Sequence, residues 1–315
     1  MASAYSSSQI EAWDKHVSLP TRFQSSQKPT KNIEYLNALH VHQIAAVPYE
    51  NLILHYSKDH AVSLDPQKLY QKIVTDTRGR GGYCMENSIL FNHVLRGLAF
   101  QVYTAGVRIR PRVGGVPSGD YIGWVHIVNI VTLPDGSQYM LDVGFGGDGA
   151  TKPLPLISGH VEQNLGPQEI RLLYSTIPQQ IDQSKKLWIY QYRNGQDREW
   201  NSFYAFPELE FLAQDFEIMN YYTSTSQGTT NFQTRTVLIV RFLRGKGEDA
   251  EKIVGKVMLV NGEVKRNMGG KTEVVKVCRT EEERLKALEE YFAIKLTEDE
   301  KKGVRGRNVE LLLEG

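Results

Sequence analysis

The chain has 315 residues, 41% hydrophobic and 23% charged, and its 37 basic and 36 acidic side chains leave a net charge of +1. This length predicts two or three cooperating domains, and the balanced charge indicates no nucleic-acid partner. No apolar run reaches the ~18 residues of a membrane span and the amino terminus lacks a signal-peptide pattern, so we expect a cytoplasmic protein without membrane partners.

The first hundred residues carry the apolar spacing of helices. Between residues 33 and 47, apolar side chains recur near one broad face until Pro48 ends the pattern, which predicts a helix. A second helix is predicted to start at Cys84, with Gly97 as its stop signal. We therefore expect a helical amino-terminal domain over residues 1–102.

From residue 101 onward, β-branched and aromatic stretches alternate with turn residues, and they predict an antiparallel sheet or barrel over 103–212. These stretches are 101–110, 124–133, 138–145, 169–177 and 187–193. Beyond Ala213, strand patterns mix with one clear helix, at which Thr280 and Glu283 predict a capping box. This pattern predicts a carboxy-terminal α/β domain over 213–315. The charged segment 298–307 is expected to be a flexible loop.

The two cysteines, Cys84 and Cys278, are far apart and show no metal-ligand spacing, so neither a disulfide framework nor a metal site is expected. A lone cysteine is usually a small buried apolar residue, and Cys278 keeps that interpretation. Cys84 differs because it begins a helix, where unpaired amides and the helix dipole favour a thiolate. The preceding Gly81 and Gly82 suit a tight turn and close approach by a substrate.

A thiol nucleophile needs a base, and His126 lies in a strand pattern whose neighbouring strand carries Asp142 among apolar residues. The LPDG turn between them favours a three-residue loop in which Leu133 pairs with Ser137. Asp142 then lies opposite Val128, on the same face of the sheet as His126. A two-residue loop would instead place the two side chains on opposite faces. Taken singly, either residue could equally be structural.

The chain order Cys84, His126, Asp142 is typical of an activated thiol in proteases, transglutaminases and acyltransferases. The segment RGGYCMEN resembles the R-G-G-x-C-x-E-N signature of the arylamine N-acetyltransferase family. Further segments from about residue 30 to 300 are similar to that family, among them LHVHQIAAVPYENL, GWVHIVNIV, LDVGFGG and FEIMNYYTSTS. The resemblance implies an α+β multidomain fold. It would comprise a helical bundle, an antiparallel β-barrel and an α/β lid around a cysteine-protease-like core.

The resemblance also implies roles for individual residues. Cys84 would be the nucleophile, His126 the activating base and Asp142 the residue that orients the imidazole. Outside this triad, the implied residues are the buried structural ion pair of Glu50 and Arg80, the coenzyme A contacts Gly123, Ser226 and Thr229, and the aromatic Phe145 of the acceptor pocket. The carboxy-terminal tail does not match the tails of vertebrate members.

The predicted reaction is ping-pong transfer of an acetyl group from acetyl-coenzyme A, through a Cys84 thioester, to the nitrogen of an arylamine, hydrazine or arylhydroxylamine. One alternative is an N-malonyltransferase that uses malonyl-coenzyme A. Another is a transglutaminase-like or protease-like cysteine hydrolase, and a third is an inactive member that acts as a binding module. No Gly-rich phosphate loop is present, so coenzyme A is inferred from the resemblance alone. We expect no metal, and a monomer or weak homo-oligomer.

Overall fold

The computed structural model describes residues 2–229 and 231–312. The α-helices are α1 Ser7–His16, α2 Ile33–Ala46, α3 Ile53–Tyr56, α4 Pro66–Tyr70, α5 Cys84–Gly97, α6 Ala213–Thr225, α7 Glu281–Phe292 and α8 Glu298–Lys301. The strands are β1 Tyr49–Glu50, β2 Gln101–Ile109, β3 Arg112–Val113, β4 Val116–Pro117, β5 Trp124–Thr132, β6 Gln138–Leu141, β7 Leu154–Pro155, β8 Val161–Gln163, β9 Gln168–Ser175, β10 Leu187–Asn194, β11 Asn201–Phe206, β12 Leu238–Arg244, β13 Ile253–Val260, β14 Glu263–Asn267 and β15 Glu273–Val277. A π-helical turn, Gln71–Thr75, continues α4.

Both helices predicted in the first hundred residues are present. The Asn32 side chain caps α2 by accepting from the Tyr35 amide at 2.9 Å, and α2 ends before Pro48. Cys84 is the first residue of α5, as predicted. Gly97 is the last helical residue rather than the stop beyond it, since the C-cap is Leu98. A Cβ at Gly97 would come within 2.6 Å of the Ile10 side chain, so the close packing of α1 favours a glycine there.

Eight strands form one antiparallel sheet in the order β7, β6, β5, β2, β11, β10, β9, β8. The edge strands β7 and β8 are consecutive in sequence and are joined only by residues 156–160. Such a connection spans at most about 20 Å, whereas a flat eight-stranded sheet would hold its edges about 34 Å apart. The sheet therefore curls into a nearly closed barrel, and the Gly159 amide donates to the Leu172 carbonyl of β9 at 2.8 Å.

The hairpin of β5 and β6 has the predicted register. Leu133 and Ser137 close the turn through a 2.9 Å backbone hydrogen bond, and Gly136 has a φ of 86°. Asn129 pairs with Leu141. Asp142 follows directly after β6, at the position opposite Val128. The turn chemistry of LPDG thus fixes which residues of the two strands share a face.

The carboxy-terminal third contains a five-stranded sheet in the order β1, β12, β13, β14, β15, so its edge strand comes from the amino-terminal region. At α7, the Thr280 hydroxyl accepts from the Glu283 amide, but the Glu283 carboxylate accepts from the Arg279 amide rather than from Thr280. The predicted capping box is thus only half formed.

The sequence pattern beyond Ala213 predicted one helix and did not predict helix α6. The division of the chain at residues 102 and 212 stays a prediction.

The charged segment 298–307 was predicted to be a flexible loop, and this expectation was wrong. It begins with α8 and packs against α3, where a Cβ at Gly303 would lie 2.0 Å from the Tyr56 carbonyl oxygen. The Arg307 guanidinium donates to the Leu54 carbonyl at 3.1 Å. Across residues 2–229 and 231–312, none of the helices combines the length and apolar character that crossing a membrane requires.

Candidate active site

Helix α5 places the Cys84 thiol at its first turn, beneath the start of β5. The thiol is buried, and its Sγ lies 3.7 Å from the carbonyl oxygen of Val125. The helix start is fixed by Glu86, whose carboxylate accepts from the Tyr83 amide at 3.0 Å. Because Val125 precedes His126, this contact sets the thiol beside the segment that carries the histidine.

His126 and Asp142 form a buried pair that the hairpin register brings together. The Nε2 of His126 lies 2.8 Å from Oδ2 of Asp142, and both side chains are buried. The other carboxylate oxygen accepts from the Gly144 amide at 3.1 Å. Since Nε2 donates to the carboxylate, Nδ1 is the ring nitrogen left available to accept a proton.

The electrostatics at the thiol differ from the expectation that a helix start favours the thiolate. Burial raises the pKa of the Cys84 thiol, the Asp142 carboxylate raises it further, and the Met85 amide opposes this only in part. Desolvation of a charged sulfur therefore outweighs the helix terminus. A thiolate at this position needs a positive charge beside it, which proton transfer to the imidazole would supply.

The glycine pair before Cys84 is enclosed by protein atoms, which corrects the expectation of close approach by a substrate. A Cβ at Gly81 would come within 1.9 Å of the Pro48 carbonyl oxygen, and one at Gly82 within 2.5 Å of the Glu86 side chain. Neither residue has a positive φ. The two glycines therefore let the loop before α5 pass close to its own neighbours.

A buried ion-pair network holds the same loop. The Arg80 Nε lies 2.9 Å from Glu50 Oε1. The Nη1 of the same guanidinium donates to Oε1 of Glu300 in α8 at 2.6 Å. Burial opposes ionisation of Glu50, but the charges of Arg80 and then Lys72 lower its pKa to about 2. Glu300 also accepts from Arg78 at 2.5 Å, so the carboxy-terminal segment reaches the loop before Cys84.

Phe145 is half-buried in an aromatic cluster beside the histidine. Its ring centroid lies 5.1 Å from that of His126, 4.7 Å from Phe203 and 4.8 Å from Tyr204. Sequence reasoning missed Tyr204, whose ring lies 5.8 Å from His126, because β11 was not predicted. The three aromatic residues of SFYAF, which are of the type enriched in strands, were the available signal.

The three residues assigned to coenzyme A lie at two places. Gly123 is exposed just before β5, with nothing within 4 Å of a Cβ built there. Ser226 caps the end of α6, and Thr229 is exposed a few residues later.

The sequence did not predict the contact of Glu300 with Arg80, because a pairing between residues more than 200 positions apart has no local signal. In the described part of the chain, no group of three or more His, Cys, Asp or Glu side chains is arranged to hold a metal ion.

Two cavities differ in their relation to these residues. One of about 10 Å³ is lined by Asp142 and Phe145 together with Tyr49 and Phe242. The other, of about 840 Å³, lies between α1 and the end of α5, and Cys84, His126 and Asp142 do not line it. The cavity beside Asp142 and Phe145 therefore has room for about one water molecule.

The profile of the N-acetyltransferase family matches residues 32–301. Across 95% of its length this chain is 35% identical to N-malonyltransferase FDB2 of Fusarium pseudograminearum, covering 92% of that protein. It is 31% identical to the arylamine N-acetyltransferase of Escherichia coli K12 over 61% of either chain. The chain belongs to the arylamine N-acetyltransferase family, and it is an acyltransferase.

Solved structures share the fold. The arylamine N-acetyltransferase of Salmonella typhimurium superposes with a TM-score of 0.75 at 25% identity, covering 94% of this chain and 97% of that one. The Mycobacterium marinum enzyme, solved in complex with CoA, gives a TM-score of 0.72 at 22% identity, covering 94% and 98%. The mixed helical and barrel-like architecture is therefore that of this family.

Proposed function

We propose that this acyltransferase carries its acyl group as a thioester on Cys84 and passes it to the nitrogen of a small aromatic amine, hydrazine or arylhydroxylamine. The observation that carries the proposal is the buried His126–Asp142 pair, 2.8 Å apart, together with the Cys84 thiol, whose Sγ lies 3.7 Å from the carbonyl oxygen of Val125, the residue before His126. A buried imidazole bonded to a carboxylate can hold a proton taken from the thiol, because the carboxylate stabilises the imidazolium.

Each half of the reaction then uses the same proton carrier. In the first half, Nδ1 of His126 takes the thiol proton, Cys84 Sγ attacks the acyl carbonyl, and coenzyme A leaves with that proton. In the second half, the amine nitrogen attacks the Cys84 thioester, His126 removes the amine proton, and the thiol is released and reprotonated. Asp142 holds the ring and balances its charge in both halves.

The whole-chain likeness to an N-malonyltransferase supports malonyl-coenzyme A as the donor. That likeness covers 95% of this chain, against 61% for the E. coli arylamine N-acetyltransferase. Acetyl-coenzyme A is the second candidate, supported by the acetyltransferases in the same family. Gly123, Ser226 and Thr229 are the proposed coenzyme A contacts, and the CoA complex of the M. marinum relative supports a coenzyme A thioester as the donor class.

Phe145 is proposed to contact the ring of the acceptor. Its position in an aromatic cluster beside His126 supports this assignment, since an aromatic ring can pack on that cluster edge to face. The cavity of about 10 Å³ at Phe145 is smaller than an aromatic amine, so side chains around it must move to admit one.

Intact-protein mass spectrometry after brief exposure to acetyl- or malonyl-coenzyme A tests the proposal. The wild-type chain should gain one acyl group, and Cys84→Ala should gain none while keeping the circular dichroism of the wild type. Cys278→Ala is the matched control, because Cys278 is the second buried cysteine and lies in the carboxy-terminal domain. Labelling that survives in Cys84→Ala, or disappears in Cys278→Ala, would overturn the mechanism. A wild-type chain that accepts no acyl group and shows no turnover would favour the binding-module alternative.

A further inference from the structure

Arg108 is stacked on a tryptophan at the strand that carries the histidine. It lies near the end of β2, paired in the sheet with Trp124, the first residue of β5. Its guanidinium carbon lies 4.0 Å from the centre of the Trp124 ring. The Trp124 ring also contacts Phe211, with the two ring centroids 5.3 Å apart. The stacked guanidinium therefore has a fixed position beside β5.

This guanidinium has no acceptor among residues 2–229 and 231–312. Neither an ion pair nor a hydrogen bond from the Arg108 side chain is formed there, although the side chain is half-buried. Burial lowers the pKa of Arg108, and within the described part of the chain no carboxylate counteracts that effect, in contrast to Arg80, where Glu50 raises the pKa. By contrast, the guanidinium of Arg110, two residues further along the chain, donates hydrogen bonds to the carbonyl oxygens of Gly119 and Ser202.

The position of Arg108 connects it to the thiol. Trp124 directly precedes Val125, whose carbonyl oxygen is 3.7 Å from Cys84 Sγ. Gly123, which precedes Trp124 in the chain, is exposed, and no protein atom lies within 4 Å of a Cβ built there. The backbone at Gly123 is therefore accessible to a ligand. An anionic group bound near the thiol would find a cation there that has five N–H donors and, among the residues the structure describes, no competing acceptor.

We propose that Arg108 binds an oxyanion of the acyl donor, a carboxylate or a phosphate, during acylation of Cys84. The inference rests on the proposed function, because it concerns the donor of that reaction. A planar guanidinium can engage either oxyanion through two parallel hydrogen bonds. The carboxylate would belong to a dicarboxylic acyl group such as malonyl, and the phosphate to coenzyme A.

Three donors separate the two sources. Malonyl-coenzyme A carries both oxyanions, acetyl-coenzyme A carries only the phosphates, and the acetyl thioester of N-acetylcysteamine carries neither. The variants are Arg108→Met, which keeps the aliphatic stem, and Arg108→Gln in case the first is unstable. Arg171→Met is the matched control, since Arg171 stacks on Trp200 at 4.1 Å and burial lowers its pKa too, but it lies on β9. Thermal melting of each variant checks the fold.

The measured quantity is the ratio of kcat/KM between donors. A fall of about tenfold or more in the malonyl to acetyl ratio supports Arg108 as a carboxylate ligand. An unchanged malonyl to acetyl ratio, with an equal fall of both coenzyme A donors relative to the truncated thioester, supports a phosphate ligand. Ratios that stay at wild-type values, or that change as much in Arg171→Met, overturn the proposal. A wild-type chain inactive with all three donors would instead reject the proposed function itself.

Discussion

Gly144 lies directly against the backbone of Cys84. A Cβ at residue 144 would come within 2.8 Å of both the Cys84 Cα and its carbonyl oxygen, and within 3.1 Å of the Ser88 hydroxyl. The Gly144 amide also donates to the Asp142 carboxylate at 3.1 Å. One residue without a side chain therefore sets the spacing between helix α5, which begins at Cys84, and the loop that follows Asp142.

Gly144→Ala should therefore damage activity more than stability. We expect a loss of about 1 to 3 kcal/mol in the free energy of unfolding from overpacking, together with a lower rate of Cys84 acylation as α5 and the loop are pushed apart. Denaturant unfolding and single-turnover acylation measure the two effects. Gly270→Ala is the control, because nothing lies within 4 Å of a Cβ there. An alanine variant with wild-type acylation would show that this spacing is unimportant.

Asp142→Asn tests how the carboxylate acts on the thiol. Its charge raises the pKa of Cys84 directly, but it also stabilises the imidazolium that a thiolate needs. We expect the second effect to dominate, so the variant should alkylate with iodoacetamide more slowly at neutral pH and acylate slower by about 100-fold or more. Faster alkylation in the variant would mean that direct repulsion dominates.

Glu50→Gln should remove a pH-dependent part of the stability. The folded-state pKa of Glu50, about 2, is below the ordinary value of 4.5, so its contribution is present above pH 4.5 and is lost as pH falls from 4.5 toward 2. The variant should be less stable by about 3 kcal/mol at pH 7, and the two stabilities should converge as pH falls through that window.

Urea unfolding at several pH values between 7 and 3 measures this convergence. Glu282→Gln is the matched control, because Glu282 pairs with Lys286 on the exposed face of α7 and should contribute little. A constant difference between Glu50→Gln and wild type down to pH 3 would contradict the assignment of the pH dependence to Glu50.

Local chemistry predicted the parts of the fold that depend on short-range rules. Pro48 ends α2, and the LPDG turn sets the register that brings His126 and Asp142 to one face. Helix α6 was not predicted because its exposed Ile218 and Tyr221 interrupt the apolar stripe that identifies a helix in the sequence. These residues read as strand formers in the sequence, and the packing of α6 against the barrel overrides that preference.

What the sequence could not supply is burial and long-range pairing. The helix start at Cys84 was predicted, but the desolvation that raises the pKa of the thiol depends on tertiary packing, including the approach of Val125 and Gly144. The contact of Glu300 with Arg80 joins positions 220 residues apart. No local pattern encodes such a partner, so a charged segment looked like a solvated loop.

Strand β1 makes the first and last thirds of the chain interdependent during synthesis. Tyr49 pairs with Val240, and Glu50 with Ile239, so β1 has no sheet to join until β12 has left the ribosome. A nascent chain that ends before β12 should therefore hold the loop before Cys84 only through contacts within the first hundred residues, such as the ion pair of Glu50 with Arg80. Hybrid proteins that take residues 213–315 from another family member would also have to match this one short strand.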